Sequence, residues 1–270
     1  MNAYLHTLIS LITIRSILGV LLLSYLNLSN ADDEDLKSLR PTLGVEWIQV
    51  HNDKRHEIKA YIRREENKPF RSFKAEIMLN ANLTTLSNVL LDFPNYHKWY
   101  WKAKDVQLLK KVSPTRYLIY LIHDIPYELP DLDIILDAVI EPQTAHKNYL
   151  TIKVSALPDY LPERPPLRRM SAEDMSIRIT PIGKDKTLME IQGYFEVSNT
   201  ILPAWAANMI QRSAPYTVCL QLKRMTNLPE YIHKKSDIGF PIYEFETHQS
   251  KSLLFLYKPT PPQNVIKITL

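Results

Sequence analysis

The chain has 270 residues, of which 33 are Lys or Arg and 29 are Asp or Glu, so its formal net charge is only +4. This small basic excess does not favour a nucleic-acid-binding protein, which needs a basic face. A hydrophobic fraction of 45% excludes a disordered chain. The five glycines stand apart, which excludes glycine-rich phosphate-binding loops, and the single Cys219 excludes an internal disulfide.

The first 31 residues have the pattern of a secretory signal peptide. Arg15 precedes an uncharged apolar run at residues 16–28, small residues stand at positions 29 and 31, and an acidic stretch follows. This order predicts cleavage after Ala31 and an exported, periplasmic protein. One alternative is an uncleaved membrane anchor at residues 5–28, with Arg15 extending to the membrane surface. The other alternative is a buried helix.

The next segments predict strands and one short helix. Alternating apolar and polar residues predict strands at residues 57–63 and 73–79. Asn82 is a candidate N-cap for a helix at residues 83–91, and Pro94 ends it. An aromatic loop then carries Tyr96, Trp99, Tyr100 and Trp101.

A series of strands and one long helix complete the main part of the chain. Strands are predicted at residues 106–110, 116–124, 133–141, 149–157, 175–181 and 188–197. The long helix covers residues 202–228, where apolar residues recur near the helical period, and Pro215 should kink it. Consecutive strands joined by short turns predict an antiparallel sheet. The predicted class is therefore α+β with a helix-grip fold, in which a curved antiparallel sheet wraps around a long C-terminal helix and encloses a cavity.

The domain organisation follows from the same pattern. Residues 32–230 contain no repeat and no further boundary, so they are predicted to form one domain. Residues 231–270 are predicted to be a C-terminal extension. Within it, residues 242–247 and 252–257 suggest a hairpin, and residues 265–270 alternate again. We expect this extension to pack on the main domain or cover an edge of its sheet.

Five sequence patterns in this order resemble bacterial START domains, the steroidogenic-acute-regulatory-related lipid-transfer group. The first two are Trp47 followed by EIKAYIRR, and then RSFKAEIML. In the third, LSNVLLD ends at Asp92 and Trp99 follows seven residues later. The fourth is Tyr120 followed by IPYELPDLDII. The fifth is LPAWAANMIQRSAP, which matches at Pro203, Trp205, Asn208 and Pro215.

The resemblance covers roughly residues 47–228 and implies a function. It implies a cavity that binds one lipid or sterol-like molecule between the sheet and the last helix, without catalysis, cofactor or metal. One departure is Leu132-Asp133, where the family usually has Arg-Asp. The loss of this Arg weakens any claim of phosphate recognition and suggests a more neutral ligand.

Candidate ligand-binding residues come from the aromatic loop, two strands and the last helix. Trp99 and Trp101 are two positions apart, so an extended loop would point both toward the cavity mouth or a membrane; the alternative is ordinary core. His123 and Asp133 flank a turn and could anchor a ligand hydroxyl or carbonyl; the alternative is a satisfied surface pair. Asn208 could bond a ligand or the facing backbone. The candidates are Trp99, Trp101, Tyr120, His123, Asp133, Trp205 and Asn208, with Pro215 as a hinge.

Known catalytic and metal-binding motifs are absent from the sequence. HExxH and GxSxG do not occur, and the eight His residues offer no metal set. The leading function is non-enzymatic lipid binding or transfer by a monomer that makes transient contact with membranes. The first alternative is a helix-grip enzyme, such as a cyclase or hydrolase of apolar substrates. The second is an envelope protein-interaction module whose tail hairpin adds a strand to a partner.

Overall fold

The structure is a computed structural model that describes residues 46–65, 71–125, 129–196, 204–235 and 238–243. Of residues 204–209 it describes only the backbone. The described residues contain ten strands and four helices. The strands are β1 Ile48–Asp53, β2 Ile58–Arg64, β3 Arg71–Leu79, β4 Ala103–Ser113, β5 Arg116–His123, β6 Leu132–Glu141, β7 Leu150–Ala156, β8 Arg168–Arg169, β9 Ala172–Ile182 and β10 Lys186–Glu196. The helices are α1 Leu83–Leu90, a 3-10 helix Phe93–Lys98, α2 Ala204–Thr226 and α3 Pro229–Ile232.

The strands form one curved sheet that does not close into a barrel. Its order is β1-β2-β3-β10-β9-β7-β6-β5-β4, and all neighbours along this path are antiparallel. The short β8 pairs with β6 in parallel. The predicted helix-grip class is confirmed, because this sheet curves around the C-terminal helix.

The helices are held by side-chain hydrogen bonds to backbone groups. Asn82 is the predicted N-cap of α1, since its side chain accepts a hydrogen bond of 2.9 Å from the backbone N–H of Thr85. Near the end of α2, the Lys223 ammonium donates to the carbonyls of His56 and Met78, each at 2.8 Å. These bonds hold the last turn of α2 against the turn before β2 and against β3. The apolar side of α2 then faces the strands.

The structure differs from the sequence prediction in several elements. The prediction lacked β1, whose alternation is interrupted by a bulge between Gln49 and His51. It also lacked β8, which has only two residues and therefore no period. Strand β4 is longer than the predicted residues 106–110. The aromatic loop was predicted to be extended, but its first part is the 3-10 helix, in which Pro94 sets the backbone angle of the first turn.

Several sequence predictions lie outside the described residues. These are the signal peptide or anchor in residues 1–31 and the strands of the tail beyond residue 243. The described part of the extension does contact the main domain: Asn88 donates to the carbonyls of Tyr231 and Lys234 at 2.8 and 2.9 Å. Within the described ranges, no helix combines the length and the apolar character needed to cross a membrane.

Candidate ligand-binding site

An internal cavity with two adjoining lobes lies between the sheet and the helices. Each lobe has a volume of about 110 Å³. The helix lobe is the one that α2 borders, and the sheet lobe lies against β5, β6 and β7. The two lobes are adjacent, because five residues line both of them: Leu90, Trp99, Tyr100, Met175 and Ile177.

The sheet lobe is apolar on all the sides that the structure describes. Successive inward side chains of β5 are Tyr117, Ile119 and Leu121, as the two-residue period of a strand requires. Three tyrosine hydroxyls near this lobe already donate hydrogen bonds: Tyr96 to the carbonyl of Leu90 at 2.5 Å, Tyr117 to the carbonyl of Pro114 at 2.8 Å, and Tyr100 to Glu173 at 3.1 Å. No charged side chain occurs among the described residues that line this lobe. It therefore suits hydrocarbon.

The helix lobe contains polar groups in an otherwise apolar wall. Its α2 side presents Ile210, Ala214, Pro215, Val218 and Leu222. The polar groups come from the sheet and from the turn after the 3-10 helix: Tyr100, His123 and Glu173.

Glu173 is the acidic group of this lobe. It is only 5% exposed, and the Tyr100 hydroxyl donates to its Oε1 at 3.1 Å. Burial raises the pKa of Glu173 to about 7, which the hydrogen bond from Tyr100 partly opposes. The same burial raises the pKa of Tyr100 well above its ordinary value. Glu173 can therefore hold or release a proton near neutral pH.

His123 is buried and neutral in the same lobe. Burial lowers its pKa to about 4, because water no longer stabilises the charged ring. Its Nδ1 lies 3.0 Å from the carbonyl of Trp101, so this nitrogen donates to that oxygen. The Nε2 atom is then an acceptor.

Trp99 and Trp101 both line the helix lobe. They follow a 3-10 helix rather than sitting in an extended loop. Trp99 also borders the sheet lobe and packs edge-on against Tyr100, with ring centroids 5.4 Å apart. Its indole N–H is buried and has no hydrogen-bond partner among the described residues. The helix lobe thus offers an acceptor at Glu173, while the Trp99 N–H stays buried and unpaired among the described residues.

Tyr120 and Asp133 do not line the cavity, contrary to the sequence prediction. The pleat of β5 and β6 turns them to the opposite face of the sheet, while His123 and Leu132 face inward. The Tyr120 hydroxyl donates to Asp133 at 3.0 Å, and Arg169 binds both carboxylate oxygens at 3.0 and 2.9 Å. Their geometry is that of a buried structural network. The alternative, in which His123 and Asp133 form a satisfied surface pair, is therefore also wrong.

The remaining predicted residues lie on α2. Pro215 is inside the helix, is buried and borders the helix lobe, so the predicted hinge lies on the cavity wall. The side chains of Trp205 and Asn208 lie outside the described residues. Among the residues that are described, no group of three or more His, Cys, Asp or Glu could hold a metal ion.

Glu173 was missed from the sequence, although a signal for it existed. The strand was predicted to begin at Met175, whereas β9 begins at Ala172. Met175, Ile177 and Ile179 alternate with polar residues in the sequence, and the same alternation extended backward by two positions reaches Glu173. A carboxylate at the end of an apolar stripe was a candidate for a buried polar group.

Solved structures resemble this chain in fold. A STAR-related lipid transfer protein of Xanthomonas axonopodis is 24% identical, with 67% of this chain and 99% of that chain covered and a TM-score of 0.61. Human STARD10 is 19% identical, with 74% and 82% covered and a TM-score of 0.57. Human StAR-related lipid transfer protein 5 is 12% identical, with 72% and 91% covered and a TM-score of 0.58.

The chain has the START-domain fold. No protein-family model matches it, and no curated protein matches it in sequence. The START fold agrees with the resemblance seen in five sequence patterns. In this START fold, Leu132 of the Leu-Asp pair lines the helix lobe, so the departure from Arg-Asp lies at the cavity wall.

Proposed function

We propose that this protein belongs to the START family and binds one lipid-like molecule in its cavity, without converting it. The observation that carries the proposal is the cavity itself. Two adjoining, largely apolar lobes lie against the sheet, α2 borders one of them, and Glu173 and His123 lie in that helix lobe. A molecule with a hydrocarbon body and a small polar head matches this distribution. Two of the solved structures with the same fold are named as lipid transfer proteins, which supports the proposal.

Binding and release make the protein a carrier of lipid between membranes. The sequence of residues 1–31 supports export, so we place the carrier in the periplasm, with an anchored form as the alternative. Residues 1–45 lie outside the described structure, and this part of the proposal depends on sequence alone.

Native mass spectrometry of the purified full-length chain tests the proposal. We expect a noncovalent adduct of one lipid per chain. Two substitutions should reduce it by filling one lobe each: Ala214→Trp for the helix lobe and Ala138→Phe for the sheet lobe. Ala145→Trp is the matched control, because Ala145 is exposed in the loop between β6 and β7. If wild type carries no lipid, or if the filled variants carry as much as the control, the proposal is wrong.

An enzyme acting on an apolar substrate is the second candidate function. Glu173 favours it, because a carboxyl with a pKa of about 7 inside a cavity can act as a general acid or base. The same spectra distinguish the two functions. An enzyme would release or retain product in wild type and accumulate substrate in Glu173→Gln. The bound ligands of the two proteins would then differ in mass by the change that the reaction makes. A carrier would give the same adduct mass in both proteins.

A further inference from the structure

Glu173 is a buried carboxylate for which the described part of the chain supplies no counter-ion. The described residues that line the two lobes include no Lys or Arg, and Glu173 is their one acidic residue. Its described contact is the hydrogen bond from Tyr100, which satisfies Oε1. The nearest charge that acts on it is Asp174, which is also negative. Both the charge and one oxygen of Glu173 remain available to a ligand.

The walls around Glu173 suit a cation as well as hydrocarbon. Five aromatic rings line the same lobe: Phe73, Trp99, Tyr100, Trp101 and Phe195. The faces of such rings attract ammonium groups, most strongly where water is excluded. The lobe therefore combines a negative charge with aromatic faces.

The electrostatic balance favours an amine over the other common lipid head groups. The dehydration of Glu173 is already part of the folded state, so a ligand does not have to remove water from it again. A protonated amine gains both an ion pair and a charge-assisted hydrogen bond. An alcohol gains only a hydrogen bond, and a fatty acid anion is repelled by the carboxylate.

We propose that the helix lobe binds the protonated amine of an amphiphile, with Glu173 as its counter-ion and the hydrocarbon body in the remaining apolar cavity. This rests on the proposed binding function and adds the chemical class of the ligand. The aromatic residues of the lobe surround the ammonium group, and Tyr100 holds the carboxylate in place.

Calorimetric titration of the full-length chain with three matched amphiphiles tests the proposal. The probes are dodecylamine, dodecanol and dodecanoate, each below its micelle concentration at pH 8, where Glu173 is ionised and the amine is protonated. We expect the amine to bind at least about tenfold more tightly than the alcohol, and the acid most weakly. Glu173→Gln should lose this preference and bind dodecanol about as well as wild type does.

Asp174→Asn is the matched control. It removes the next carboxylate along β9, which points to the other face of the sheet and accepts from the Tyr194 hydroxyl at 2.7 Å. The control should keep the amine preference. If wild type binds amine and alcohol equally, or if Glu173→Gln keeps the preference, the amine assignment is wrong while lipid binding stands. If none of the three probes binds, both the assignment and the proposed function fail.

A second measurement needs no substitution and so does not depend on the folding of a variant. The affinity of wild type for dodecylamine should rise about tenfold or more between pH 5 and pH 8, as Glu173 ionises. The other titratable groups that face the lobe are Tyr100 and His123, and neither changes its charge in this range. The described residues that α2, β3 and β10 contribute to the lobe are apolar. A constant affinity over this range would overturn the assignment.

Discussion

Two buried carboxylates on opposite faces of the sheet show what separates a structural charge from a candidate binding group. Asp133 is 1% exposed and accepts from Arg169 on both oxygens and from Tyr120. Glu173 is buried almost as deeply but accepts a single described hydrogen bond, from a neutral hydroxyl. The first charge is satisfied by the fold itself. The charge of Glu173 has no such partner among the described residues and is available to a ligand.

Breaking the ion pair of Asp133 should have the largest effect on stability. Arg169→Met leaves a buried carboxylate without its partner, so we expect a loss of about 3–5 kcal/mol in the free energy of unfolding. Denaturant unfolding followed by circular dichroism measures this.

The control for this loss is Arg116→Met, which breaks the half-exposed pair with Asp137. That change should leave the unfolding midpoint almost unaltered, because solvent screens the exposed charge. Adding Asp133→Leu to Arg169→Met should recover much of the loss. Equal midpoints for Arg169→Met and Arg116→Met would show that burial does not make the Asp133 ion pair more important for stability than an exposed pair.

Removing the charge of Glu173 should have the opposite sign. Its folded pKa of about 7 lies above the ordinary 4.5, so the folded state binds more protons than the unfolded state between these values. Stability therefore falls as pH rises from 4.5 to 7, by about 3 kcal/mol in total. Glu173→Gln removes this loss and should be more stable than wild type at pH 8, with a smaller difference at pH 4.5. Unfolding curves at both pH values measure the gain, and a difference independent of pH would contradict it.

His123 should produce a slope of the other sign in the same pH range. Its folded pKa of about 4 lies below the ordinary 6.5, so the unfolded state binds more protons and stability rises from pH 4 to pH 6.5. In wild type this rise, also about 3 kcal/mol, largely cancels the fall caused by Glu173. His123→Asn retains a donor for the carbonyl of Trp101 and should expose the falling slope alone. If its pH profile follows that of wild type, His123 is not buried in its neutral form.

The smallest expected effect concerns the rate of ligand exchange at Pro215. Proline lacks the N–H that would bond the carbonyl one turn earlier, so local opening of α2 should be easiest there. Pro215→Ala restores the donor and should slow lipid uptake and release severalfold with little change in affinity. Stopped-flow measurements with a fluorescent lipid record both rates.

Hydrogen exchange provides the corresponding control for the hinge. In the ligand-free protein, amides near Pro215 should exchange faster than those of β5, and ligand should slow them. Equal protection of α2 and β5, with and without ligand, would place the entrance of the cavity elsewhere. It would then lie at the aromatic loop of residues 96–101 or at the proline-rich loop of residues 158–166.

The sequence was sufficient for the fold because its strands alternate and its long helix has a clear period. Strand β5, with its inward Tyr117, Ile119 and Leu121, was predicted within one residue of its observed end. Strand β1 was not predicted, because a bulge interrupts its alternation. Such a bulge depends on pairing with β2, and no property of residues 48–53 alone reveals it.

The site was less predictable, because it depends on which face of each strand turns inward. His123 pairs with Leu132 and not with Asp133, and this shift of one residue separates the cavity face from the outer face. The counter-ion of Asp133 is Arg169, which lies 36 positions later, in the two-residue strand β8. Glu173 was missed because the predicted strand began at Met175, three residues after the observed start of β9 at Ala172.

The most direct test of the account is the pKa of Glu173, measured by NMR of isotope-labelled carboxyl carbons in the full-length chain. Without ligand, the titration should centre at about pH 7. With saturating dodecylamine the pKa should fall below its ordinary value of 4.5, because the bound ammonium stabilises the ionised carboxylate. A pKa that stays near 7 with the amine bound would show that the head group does not lie at Glu173, and would contradict the central claim.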